Sequence, residues 1–238
     1  MRWIAAIFAL AASSACFAGD DVTVKATLDA RGRGDVYMVI LSNIESPDRV
    51  AGLTDARVRN VPLVHALRAS PSELTGVLSR AGFSSVVVNQ HIDGARIRTE
   101  VTAATGDLRP IAALAGGDLK FESKPDNFVE IGGKFGGALG ESNADLSALS
   151  GIRLTLWIVV PGTVRRADRA AEVSHVADSA TWKFPVDRLL AQPRTLDVLV
   201  LPRIEGTWFY WLALILGVTA LVIVGAVIVL RRGRDARV

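Results

Sequence analysis

Residues able to do chemistry are few in this chain and scattered along it. His65, His91 and His175 each stand alone, with no second ligand-type residue at metal-binding spacing. No metal is expected from them, and nothing else in the sequence calls for a cofactor. Cys16 is the only cysteine, so disulfides within the chain are excluded. No G-x-S-x-G nucleophile elbow occurs. "EIGGKFGGALGES" surrounds Lys134 with glycine, but the first glycine of a phosphate-binding loop is missing and Phe135 stands where Ser or Thr should follow. That run reads as a hairpin turn between strands. Asp118, Glu122, Asp126 and Glu130 could couple across strands as acid and base, although such a scatter is ordinarily the polar face of a sheet. Trp157 and Trp182 each sit among alternating apolar neighbours, which suits core packing; the alternative is that one lines an apolar pocket. No catalytic constellation results, and an enzyme is not expected.

The elements that must position these residues are mostly strands. Val22, Val24, Ala26 and Leu28 alternate with polar residues, Gly32-Arg33-Gly34 permits a tight turn, and Val36 to Leu41 runs back as a partner. "IESPDRVAGLTDARVRNVPLVHALR" holds helical fragments broken by Pro47 and Pro62. A firm helix follows over 70–81. Ser70 is its N-cap, Pro71 its first residue and Glu73 the partner in a capping box. Leu74, Val77, Leu78 and Ala81 form its apolar stripe. Two strands flank Asp93-Gly94, a strong hairpin signal. Asp107 opens a short helix through Ala115, and "LKFES" and "NFVEIGGKFG" resume strand character. "NADLSALSG" reads as one or two helical turns, and "IRLTLWIVVPG", "ATWKFPV" and "TLDVLVLP" as three more strands. About eight strands and one firm helix give an α+β fold: a mostly antiparallel, curved β-sheet with one main helix packed on it.

The two ends predict a location. Residues 1–18 have the layout of a secretory signal peptide: Arg2, an apolar stretch, then small residues, with cleavage before Gly19. The alternative is cleavage before Cys16 with lipidation of its thiol. Residues 208–230 run without a charge, long enough for a single C-terminal transmembrane helix. Trp208, Tyr210 and Trp211 read as its interfacial belt, and Arg231, Arg232 and Arg234 as cytoplasmic flanking charges. The expected organisation is an exported domain over 19–207, a span over 208–230 and a basic cytoplasmic tail over 231–238. That is a single-pass protein of the bacterial inner (cytoplasmic) membrane with its C-terminus in the cytoplasm.

Charge supports no nucleic-acid partner. The whole chain carries +3 with a pI near 9.3. Setting aside Arg2 and the four tail arginines leaves 22 of the 27 Lys and Arg; setting aside Asp235 leaves 23 of the 24 Asp and Glu. The middle of the chain is therefore near neutral, and the basic excess belongs to the ends.

Towards the C-terminus the order of features resembles the bacterial LppM family of membrane-anchored lipoproteins. The resemblance is carried by "RLTLWIVVPGTVRRADRAAEVSHVADSATWKFPVDRLLAQPRTLDVLV": an apolar strand ending in Pro161-Gly162, a valine two residues on, a polar stretch, then Thr181-Trp182 opening a strand. The early hairpin fits as well. The resemblance implies a β-rich domain with a helix laid over a curved sheet, similar to lipid-holding helix-grip folds, and binding of lipids or glycolipids at the envelope. The expected function is a non-enzymatic extracytoplasmic binding module with membrane lipids as partners. The alternative is a structural or accessory subunit that presents its sheet to another envelope protein. A lipid binder should enclose an apolar cavity of roughly 300 Å³ or more, lined by Leu74, Val77 and Leu78 and by Trp157 or Trp182. An accessory subunit should have a filled core and an exposed apolar patch.

Overall fold

The structure is a computed structural model that describes residues 20–43, 53, 55–125, 128–140, 144–176, 178–202 and 214–219. These fall into two units, one ending at Pro202 and a second within 203–238.

The first unit holds two sheets. Seven strands form the larger, in the order β3-β4-β2-β1-β7-β10-β9. These are β1 (Asp21–Leu28), β2 (Gly34–Asn43), β3 (Ser84–Asp93), β4 (Arg96–Thr105), β7 (Arg153–Val159), β9 (Glu172–Val173) and β10 (Ser179–Pro185). Four strands form the smaller, in the order β5-β6-β11-β8: β5 (Gly117–Ser123), β6 (Val129–Phe135), β8 (Gly162–Ala167) and β11 (Arg194–Pro202). Every pairing is antiparallel except β1 with β7. The expected hairpins are present: β1 pairs with β2, and β3 with β4 around Gly94.

Five short helices accompany the sheets: α1 (Ala56–Arg59), α2 (Pro62–Ala66), α3 (Pro71–Arg80), α4 (Arg109–Ala113) and α5 (Val186–Ala191), with a 3-10 turn at Ser147–Leu149. The firm helix of the sequence is α3. Its capping contacts are made: the Ser70 N–H and hydroxyl both donate to Glu73 Oε2, at 2.9 and 2.8 Å.

The expectation of one curved sheet with one main helix is corrected to two sheets and several short helices. The reason lies in the apolar faces. Val129, Ile131 and Phe135 of β6 and Leu196, Val198 and Val200 of β11 are buried. Those strands pair with each other rather than extending the first sheet, and their apolar sides join the same core. Both sheets and all five helices contribute to one continuous cluster of buried residues. Phe135 of β6 meets Phe184 of β10 with ring centroids 5.9 Å apart.

The transmembrane expectation is also corrected. Residues 214–219 are helical. Among the described residues no helix is long and apolar enough to cross a membrane. This overturns the single-pass inner-membrane placement with a cytoplasmic C-terminus. The signal-peptide stretch with Cys16, the aromatics Trp208, Tyr210 and Trp211, and the arginines Arg231, Arg232 and Arg234 lie outside the described residues.

Candidate functional site

Strand β6 has a missing tooth on its outward side. Period two sends Val129, Ile131 and Phe135 into the core and leaves Glu130, Gly132 and Lys134 on the other face. Register places Gly132 opposite Lys120 of β5 and Asp197 of β11. Lys134 lies opposite Asp118 and Thr195, and Glu130 opposite Glu122. A ring of polar side chains thus surrounds a position with none. The result is an open groove of about 660 Å³ whose walls include Asp118, Lys120, Glu122, Glu130, Lys134 and Asp197. A Cβ built on Gly132 meets nothing nearer than 3.6 Å, so its floor is open by choice of residue and not by strain. Gly133, one residue on, is different. It has φ +136 and its Cβ would lie 2.1 Å from the Asp118 carbonyl oxygen, a place only glycine fits.

The charges of the groove are balanced in place. Glu122 and Glu130 face each other across the ladder, and Lys124 bridges them at 2.9 and 2.7 Å. The hydrogen bond from Lys124 holds the Glu122 carboxyl below its ordinary range, and the bonds to Glu130 and Glu122 raise the Lys124 ammonium. The lowered Glu122 carboxyl is therefore held in its ionised form beside the Lys124 ammonium. Lys120 lies 3.5 Å from Asp118, and Arg166 of β8 lies 3.0 Å from Asp197. Asp197 is anchored from behind: its N–H donates to Asp168 Oδ2 at 3.2 Å, the same oxygen that receives Trp182 Nε1 at 2.8 Å. Its Oδ1 is shielded from solvent and has no hydrogen-bond partner among the described residues. Donors and acceptors of both signs, at near-zero net charge, suit a neutral ligand rich in hydroxyl groups better than a phosphate or an amine.

The residues named from sequence lie elsewhere. Leu74, Val77 and Leu78 of α3 are 0, 8 and 1% exposed and sit in the core. Trp182 is fully buried, whereas Trp157 is half-buried on the opposite face of the larger sheet, with Lys25 Nζ 4.3 Å from its ring centroid. Neighbouring strands place these two tryptophans on opposite faces, so they cannot line one cavity. A hollow of about 240 Å³ beside Ser70, at the start of α3, is lined by Ile40, Ser42, Arg68, Gln90, Ile97 and Thr99 among others, and includes none of the five. Of the four carboxylates, Asp118, Glu122 and Glu130 come together in the groove, and Asp126 lies outside the described residues. Of the glycine run expected as a hairpin turn, residues 130–135 belong to strand β6, in line with the strand character of "NFVEIGGKFG", and residues 138–140 form a turn. The signal for the strand is the spacing of Val129, Ile131 and Phe135. His65, His91 and His175 remain apart, and no group of three or more metal-ligating residues occurs among the described residues. His65 is pushed below its ordinary range by burial and by Arg68.

No family model and no curated protein matches the chain. Among solved structures, the folded domain of LppM from Mycobacterium tuberculosis, determined by NMR, is similar with a TM-score of 0.42 and 13% identity. The match covers 82% of this chain and 98% of that one. It is a weak structural neighbour.

Proposed function

We propose that residues 20–202 form a non-enzymatic binding module whose ligand is the polar, sugar-like head of an envelope glycolipid. The single observation that supports this best is the groove over Gly132, whose four carboxylates are offset by Lys120 and Lys134 within it and by Lys124 and Arg166 beside it. The head group lies on the outer face of the smaller sheet, hydrogen-bonded by Lys120, Lys134, Asp118 and Asp197. The acyl chains stay outside the protein, because Leu74, Val77 and Leu78 of α3 are packed into the core. The signal-like layout of residues 1–18 is in keeping with such a ligand.

The test is co-flotation of the full chain with phosphatidylcholine vesicles with and without a diglycosyl diacylglycerol. Binding only to the glycolipid vesicles, competed by the free disaccharide, is expected. Equal flotation with both vesicles, or none with either, overturns the reading. A second reading, an accessory subunit for another envelope protein, is favoured by the filled core beneath Leu74, Val77 and Leu78. It predicts no vesicle selectivity and co-purification with one defined protein instead.

A further inference from the structure

The two sheets have four edges, and three of them are guarded. β9 is only two residues long. β5 carries Asp118, Lys120 and Glu122 outward. β8 carries Arg165 and Arg166, and its pairing with β11 is irregular at Leu199/Val200. Short length, charges and bulges are the usual defences against edge-to-edge pairing. β3, at the end of the larger sheet, is ten residues long and reads SSVVVNQHID. It has no Lys, Arg or Pro. Its one irregularity lies between Ser84 and Val87, where Ser85 has φ 53, and Val87–Asp93 is a regular ladder against β4. Val87 is 54% and Ile92 72% exposed.

The uncovered residues continue a buried pattern. On the core-facing side of the sheet, Ile92 pairs with Ile97 and Val88 with Val101. Val101 is buried and Val88 and Ile97 are half-buried, so Ile92 is the open end of an apolar row.

We propose that β3 pairs with β3 of a second copy of this chain, antiparallel and centred on Gln90. The centre follows from the length of the regular segment. Val87–Asp93 is symmetric about Gln90, so all seven residues are used. That register sets Val87 opposite Asp93 of the second copy, Val88 opposite Ile92, Asn89 opposite His91, and Gln90 opposite itself. Directly opposed residues share a face. The pairing therefore builds two rows running Ile97, Ile92, Val88, Val101 through both copies, and it covers Ile92. A shift by one residue would set Ile92 against Asn89 or Val87 on the wrong face and is disfavoured. The two sheets become one continuous sheet of 14 strands, twice the seven of one chain. Seven paired residues and a few side chains form a small contact, of the size at which transient association is common.

The experiment is sedimentation velocity of the full chain over a rising concentration series. A reversible monomer–dimer shift in the micromolar range is expected. Ile92→Lys, which puts a charge on an already exposed site, should weaken the dimer at least about tenfold, while Val176→Lys, equally exposed but remote in sequence on no strand, should leave it unchanged. Register is read separately by Gln90→Cys in a Cys16→Ser background. Mild oxidation should give a covalent dimer from Gln90→Cys, and far less from Asn89→Cys, whose own counterpart is not opposite it. A chain that stays monomeric throughout, a dimer that Ile92→Lys leaves intact, or equal crosslinking at both positions would overturn the proposal.

Discussion

Truncating Leu78 asks whether α3 fills a core or roofs a ligand cavity. Its side chain is 1% exposed, and its neighbours Leu74 and Val77 are buried with it. Leu78→Ala removes about three carbon groups, worth about 0.8 kcal/mol each on transfer, or about 2.4 kcal/mol. The void left in a packed interior adds to this, and buried Leu→Ala changes as a class cost about 2–5 kcal/mol. The hollow of about 240 Å³ at the N-terminal end of α3 is not lined by Leu78, so it does not absorb the loss. We expect about 3–4 kcal/mol, with the helix still formed, because its capping contacts at Ser70 and Glu73 are untouched. Urea unfolding followed by tryptophan fluorescence reads this directly, since Trp182 is fully buried and loses its environment on unfolding. A cost of about 1 kcal/mol or less, or a loss that added lipid restores, would refute a filled core and return the ligand to the space beneath α3.

Gly133→Ala should destabilise by more than about 2 kcal/mol, because φ +136 and the Asp118 carbonyl oxygen at 2.1 Å leave no place for a Cβ; equilibrium unfolding checks it. Trp182→Phe keeps most of the core volume but removes the donor to Asp168 Oδ2, and should cost about 1–3 kcal/mol. His65 titrates below its ordinary value in the fold, through burial first and Arg68 second. The unfolded chain therefore takes up this proton first as pH falls. The stability His65 contributes is complete above about pH 6.5 and declines below it, so a urea midpoint measured across that range should flatten in His65→Gln.

Local features of the fold could be read from the chain because their causes are local. Ser70, Pro71 and Glu73 specify the start of α3 within four residues, and Asp93-Gly94 specifies the β3–β4 hairpin. The division into two sheets could not be read the same way. It depends on β6 choosing β11, where Ile131 meets Val198, two strands far apart in sequence. Alternation says which side of a strand is buried and not which strand lies beside it. The helix α5 was hidden behind Pro185, since "VDRLLA" is too short for its period to stand out. Glycine hides its use in β6, although the strand itself is legible in "NFVEIGGKFG". In a turn it permits an unusual backbone, but at Gly132 it serves by lacking a side chain, and only the cross-strand partners Lys120 and Asp197 reveal that use. The span over 208–230 was inferred from composition and flanks, and among the described residues no helix of sufficient length accompanies it.

Filling the groove is the most direct test of its role. Gly132→Val adds a side chain where the nearest atoms lie 3.6 Å or more from the new Cβ, in a strand that favours valine. The variant should therefore unfold at the same urea concentration as the parent or slightly above it. In the vesicle assay its binding to diglycosyl diacylglycerol should fall at least about tenfold, a loss of about 1.4 kcal/mol or more. Undiminished binding by a folded Gly132→Val chain would contradict the account.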